Sequence, residues 1–191
     1  MASNFDKLSP FDKETKQLNV VIETPKGSRN KYAFDEDSGL FKMKGVLAAG
    51  HSFPFDFGFI PNTKGGDGDP LDVLVLMDEP AFAGCLIEAR LIGVIEAKQT
   101  ERDGTVERND RLIAVASDSR NHTHVNALKD LNENLIGEIE HFFVSYNEAK
   151  GKKFESLGRF GAQKAGNIVD EGIVNAGKKP TKTKSKTKKK Q

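Results

Sequence analysis

Residues 67–77 read Asp-Gly-Asp-Pro-Leu-Asp-Val-Leu-Val-Leu-Met, three carboxylates in six residues followed by a dense apolar run. The run is the length of a strand, and its apolar residues are unbroken, which suits a strand buried on both faces. Pro70 fixes its own φ and pushes Asp69 toward an extended conformation. In such a segment Asp67 and Asp69, two apart, point the same way. Gly65, Gly66 and Gly68 let the backbone turn tightly in front of them. Clustered carboxylates repel one another unless something neutralises them. Hard divalent cations such as Mg²⁺ take this kind of oxygen-rich rim. A solvated acidic turn is the plain alternative, but Asp72 opens a buried strand, where an unpaired charge is costly. A calcium-binding helix–loop–helix is excluded, because the sixth position of its loop needs Gly and here holds Asp72.

Working outward, residues 18–23 (LNVVIE) read as a first strand. Residues 31–34 and 40–43 flank the turn-like DEDSG and predict a hairpin. Residues 53–60 (FPFDFGFI) are aromatic and broken by Pro54 and Gly58, which predicts an irregular edge of the core. Residues 86–97 and 111–116 predict two more strands, joined by a polar turn around Asp103-Gly104. From residue 132 to 150 the apolar positions Leu135, Ile136, Ile139, Phe142, Phe143 and Tyr146 recur at helical spacing. Asp130 or Asn132 is placed to cap that helix and Gly151 to close it. A weaker helical pattern covers residues 163–175. Strands first and helices last predict an α+β fold, a compact antiparallel sheet or small barrel flanked by helices.

The chain of 191 residues suits one domain with a tail. Residues 1–17 form a polar lead-in, 18–177 the folded domain, and 178–191 a lysine-rich tail. That tail holds eight of the 29 basic residues and no acid, so the remainder carries 21 basic against 28 acidic side chains, a net of −7. An acidic body suits a cation-binding site. The tail cannot bury enough surface to offset its ordering entropy and reads as disordered. It offers weak contact with polyanions but no aromatic residue for base stacking. The single cysteine, Cys85, excludes an internal disulfide and fits a reducing, cytoplasmic compartment. The opening residues, lacking an apolar stretch, are not expected to act as a secretory signal, and no run approaches the roughly 18 apolar residues a spanning helix needs.

The segment FDFGFIPNTKGGDGDPLDVLVL resembles the motif region of the family I soluble inorganic pyrophosphatases, in which D-G-D-P-x-D is specific. VVIETPKGSRNKY, GLFKMKGVL, NDRLIAVA and HFFVSYNEAKGKKF extend the resemblance over roughly residues 18–160. It implies a five-stranded OB-like β-barrel with flanking helices, and Mg²⁺-dependent hydrolysis of pyrophosphate with two or more ions per site, Mn²⁺ being a possible substitute. It implies Asp67 and Asp72 as metal ligands and Asp69 as the group nearest the attacking water. Glu23 would support the cluster. Lys31, Lys44, Arg111 and Tyr146 would bind phosphate. Two further ligands are implied between residues 101 and 111: Asp103, with Glu107 as rival, and Asn109 or its neighbour Asp110. The family also implies a homo-oligomer.

The chain departs from the family pattern at several points. It has lysines around Gly45 where arginine is usual, Phe57 where a tyrosine is common, and Asn147 where a lysine follows the helical tyrosine. Lys150, Lys152 or Lys153 could reach in instead. These changes leave two other readings open: a diverged hydrolase of another phosphoanhydride, and a catalytically weak anion-binding protein. His122-Thr123-His124 is a two-ligand fragment at most and reads as a loop.

Overall fold

The computed structural model describes residues 4–177. Nine strands and two α-helices follow in the order β1 (Leu18–Thr24), β2 (Asn30–Asp35), β3 (Leu40–Val46), β4 (Asp56–Phe59), β5 (Asp72–Leu76), β6 (Leu86–Thr100), β7 (Val106–Arg108), β8 (Arg111–Ala116), α1 (Glu133–Glu148), β9 (Lys153–Gly161) and α2 (Ala162–Ala176). The lysine-rich segment 178–191, expected to be disordered, lies outside the described residues.

Five strands close a ring. β1 pairs with β4, β4 with β5, β5 with β8, β8 with β6 and β6 with β1. All of these pairings are antiparallel except β5–β8, where Val73 aligns with Leu112 and Leu76 with Val115. The fold is thus α+β and OB-like, as expected. β2 and β3 form a separate hairpin, and β7 and β9 extend the sheet from β6.

Period-two alternation divides the core. Leu74, Leu76, Ile113 and Val115 face α1, whose Ile136, Ile139, Phe142 and Phe143 fill that side. Val73, Val75, Leu112 and Ala114 face the other way, toward Ala165, Ile168 and Val169 of α2. Both faces of β5 and β8 are covered, which accounts for their unbroken apolar runs. Each fully buried aliphatic or aromatic side chain of α1 contributes about 1.5–3 kcal/mol. Asn132 caps α1 by accepting the Asn134 amide at 2.8 Å.

Three expectations are corrected. The aromatic segment 53–60 is no irregular edge, since its β4 portion is buried between β1 and β5. β9 was not foreseen. It lies between the helices and pairs with the distal half of β6, from Gly93 to Thr100, so the chain does not run strands first and helices last. The strand expected to end at residue 97 continues to Thr100, because β7 and β9 pair with its extension. The lead-in also packs: Phe5 meets Phe34 edge-on at 4.7 Å and Phe59 at 5.9 Å.

Candidate active site

One end of the ring opens into a cleft of about 580 Å³. Its acidic wall begins in the loop between β4 and β5. The Asp69 carbonyl accepts the Gly65 amide at 2.7 Å, and the Asp69 amide donates to Asp67 Oδ1 at 3.1 Å. Gly68 turns between them at φ +92°, a conformation glycine adopts without strain. The base of the loop is fixed by Thr63, whose hydroxyl donates to the Ile60 carbonyl and accepts the Leu71 amide. Helix α2 braces it from behind, the Gly172 carbonyl accepting the Lys64 amide at 3.0 Å.

Asp67, Asp69 and Asp72 all line the cleft. Burial raises the pKa of Asp67, and the charges of Asp72 and Asp69 push it the same way. Burial also raises Asp72, against the pull of Arg111 and Lys31. A cation between these groups would relieve both effects, so the donor set fits a hard divalent ion. No three acidic, histidine or cysteine side chains among the described residues converge as a ready-made ligand cage. Asp67 and Asp72 would supply the charged ligands, with Asp69 beside them.

The cationic wall faces this loop. Arg111 opens β8 and shares a face with Ile113 and Val115, on the α1 side. It donates to Asp72 Oδ2 at 2.5 Å and to the side-chain oxygen of Asn109. Its guanidinium lies over Phe143 at 4.8 Å. Lys31 on β2 donates to Glu23 Oε2 at 3.0 Å, and its ammonium sits 4.0 Å above the Phe57 ring. Phe57 therefore supports a lysine, where a tyrosine would place a hydroxyl. Glu23 also accepts the Phe34 amide at 2.8 Å, which ties β1 to the β2–β3 hairpin. Lys44 reaches the rim and lies 3.6 Å from Asp35.

The far wall comes from the distal end of β6, the start of β8 and the end of α1. Tyr146 stacks on Phe142 at 5.8 Å and takes a hydrogen bond from the Lys150 ammonium. Burial pushes Tyr146 up to about 12. Burial, with Lys31 and Lys152 nearby, brings Lys150 down to about 8. Lys152 is held by Glu101 at 2.6 Å, and Glu101 also accepts Gln99. Asn147 lines the cleft, but its amide is spent on the Phe143 carbonyl one turn earlier.

The remaining expected ligands stand elsewhere. Asp103 is exposed in the β6–β7 turn, where it accepts the Thr105 amide, and is not among the cleft residues. Asp110 is buried behind the cleft, accepting the Ala97 amide at 3.0 Å and Arg108 at 2.7 Å. By alternation Asn109 shares the face of Arg111, so Asn109 and not Asp110 reaches the cleft. Glu107 and Glu101 also line it. Glu101 was not singled out from the sequence, although it continues the alternating face of Ala97 and Gln99. His122 lies outside the cleft, 2.9 Å from Ser119 Oγ in a loop anchored by Asp78.

Residues 20–176 match the family model described as inorganic pyrophosphatase. An inorganic pyrophosphatase from Synechocystis is 40% identical over 158 residues, covering 83% of this chain and 90% of that protein. One from Halalkalibacterium halodurans is also 40% identical, with coverage of 83% and 94%. Among solved structures, the inorganic pyrophosphatase of Thermus thermophilus superposes with a TM-score of 0.82 at 33% identity, covering 91% of this chain and 99% of that one. That of Neisseria gonorrhoeae gives 0.83 at 32%, with 92% and 100% covered.

Proposed function

This chain belongs to the inorganic pyrophosphatase family, and we infer that it hydrolyses pyrophosphate to two phosphates with divalent cations, Mg²⁺ first and Mn²⁺ as substitute. The observation that carries the reading is one cleft in which Asp67, Asp69 and Asp72 face Lys31, Arg111, Tyr146 and Lys150. Pyrophosphate is a small polyanion, and its hydrolysis needs both walls. Asp67 and Asp72 would hold the cations, which would supply charge neutralisation and acidify the attacking water. Asp69 orients the water and takes its proton. Arg111, Lys31 and Lys44 hold phosphoryl oxygens, and Tyr146 donates its hydroxyl, kept protonated by its raised pKa. Glu23 fixes Lys31 in place.

Asp103 enters this proposal only through a rearrangement of the β6–β7 turn, whereas Asp110 shares a smaller cavity with Asp67 and Asp72 but is engaged there by the Ala97 amide and Arg108. In the present geometry Glu101, Glu107 and Asn109 occupy that side. With a neutral amide at Asn109, the affinity for outer cations is expected to be low. A cytoplasmic homo-oligomer remains the expected form. Among the described residues no helix is long and apolar enough to cross a membrane.

The test is phosphate release from pyrophosphate, with and without Mg²⁺, by the wild type and by Asp69→Asn. Release that needs the cation and collapses in the variant supports the reading. No release by the wild type with either Mg²⁺ or Mn²⁺ would leave an anion-binding protein in its place.

A further inference from the structure

A second cavity, of about 260 Å³, adjoins the cleft and shares three of its residues, Lys31, Tyr146 and Lys150. Beyond them its walls change character. Val46, Leu47, Ala48 and Ala149 line it together with His51 and Ser145, so it is cationic at the shared mouth and largely apolar beyond, with two polar side chains in its wall. Gly45 forms part of its wall, and a side chain there would meet no atom within 4 Å, so the space beside β3 is open. No feature of pyrophosphate hydrolysis uses this cavity, because pyrophosphate has nothing apolar to put in it.

We propose that this side cavity is a subsite for the organic group of monosubstituted diphosphates, so that the chain also hydrolyses small alkyl diphosphates to an alkyl phosphate and inorganic phosphate. The proposal rests on the pyrophosphatase reading of the main cleft. The terminal phosphoryl group lies against Asp67, Asp69 and Asp72. The substituted phosphoryl group lies between Lys31, Tyr146 and Lys150, at the mouth shared by both spaces. Its ester oxygen then points toward Val46, Leu47 and Ala48, and the alkyl chain is removed from water there. The chemistry is unchanged. A water oxygen bonds to the terminal phosphorus, the bond from that phosphorus to the bridging oxygen breaks, and the electron pair stays on the departing alkyl phosphate. The proton of the water passes to Asp69. Charge complementarity selects the diphosphate, and the largely apolar walls favour a small uncharged substituent.

The experiment measures hydrolysis of isopentyl diphosphate and of pyrophosphate, each with Mg²⁺, by the full-length wild type, Ala48→Phe and Ala149→Leu. Both alanines are exposed and lie outside the main cleft, so the two substitutions narrow the cavity without replacing any group that holds pyrophosphate. Released phosphate and isopentyl phosphate are both quantified. The wild type is expected to form the two products one to one; each variant should lose about tenfold or more in kcat/KM for the alkyl substrate and stay within about twofold on pyrophosphate. A wild type that splits pyrophosphate but leaves isopentyl diphosphate intact overturns the proposal, as does an equal loss on both substrates in both variants. Failure on both substrates by the wild type removes the pyrophosphatase reading itself.

Discussion

Arg111 Nη1 donates to Asp72 Oδ2 at 2.5 Å across the parallel pairing of β8 and β5. Each residue is the first of its strand, and each lies on the face that α1 covers. The pair joins the two walls of the cleft at its floor. Arg111 is only 5% exposed in its side chain and Asp72 24%, so the guanidinium cannot turn to water at little cost. Removing one partner of a buried pair leaves the other uncompensated, at roughly 3–5 kcal/mol. Arg111→Ala is therefore expected to lower stability by at least about 2 kcal/mol and to reduce kcat/KM by about a hundredfold or more. Urea unfolding and steady-state kinetics of the variant check both. Retention of wild-type stability would show that Asp72 is neutral or screened without Arg111.

Gly172 controls the acidic loop from outside the cleft. A Cβ built there would stand 2.7 Å from Leu71 Cδ1 and 3.3 Å from Thr63 Cβ. Pro70 and Leu71 separate Asp69 from Asp72 in the loop, and Thr63 fixes the base of that loop through the Leu71 amide. Gly172→Ala is expected to cost about 1–3 kcal/mol by overpacking and to raise the Mg²⁺ concentration for half-maximal rate. Shortening the facing side chain should recover part of the loss, so the Gly172→Ala, Leu71→Val double variant is expected to be less unstable than the sum of the singles. Strict additivity in thermal unfolding would mean that the two side chains do not meet.

The legibility of this molecule in its sequence follows the strength of each local signal. Residues 73–76 announced a doubly buried strand because nothing polar interrupts them, and α1 announced itself through Ile136, Ile139, Phe142 and Phe143 at spacings of three, three and one. β9 gave no such signal. Its sequence KFESLGRFG has one buried side chain, Phe154, and the strand exists because β6 presents a free edge to pair with. A non-local pairing of that kind is written in no single segment. The acidic loop was readable because three aspartates and a proline fall within six residues. The choice between Asn109 and Asp110 was not, since alternate residues of a strand face opposite sides and only the register decides. That register is fixed by the Asn109 amide on the Ala97 carbonyl and by the Ala97 amide on Asp110, contacts twelve and thirteen residues apart.

Asp56 is a buried carboxyl that the fold satisfies on one oxygen only. It lies in β4 with no exposed surface, accepts the Ala81 amide on Oδ1 at 2.9 Å and has no partner for Oδ2. Burial raises its pKa above the usual carboxylate value. The folded state then binds this proton more tightly than the unfolded state. Stability falls as pH rises from the unfolded value through the folded one and is regained as the pH falls. Asp56→Asn removes that cost. The variant should be more stable than the wild type at pH 7.5, and its advantage should shrink as the pH falls toward about 4. Urea midpoints at a series of pH values measure this, and an advantage that grows on acidification would contradict the assignment.

Lys150 offers the last handle, on rate and not on stability. Its ammonium is brought down to about 8 by burial and by the charges of Lys31 and Lys152. Above that value the free enzyme loses one positive charge at the mouth of the cleft. Bound pyrophosphate opposes the repulsion among the lysines and raises the same pKa in the complex. The loss should therefore appear in kcat/KM, which reports the free enzyme, and not in kcat, which reports the complex. An alkaline limb in kcat/KM near 8 with a flat kcat is expected for the wild type. Lys150→Arg keeps its charge across this range and should flatten the limb. A limb that persists unchanged in Lys150→Arg would assign the titration to another group in the cleft.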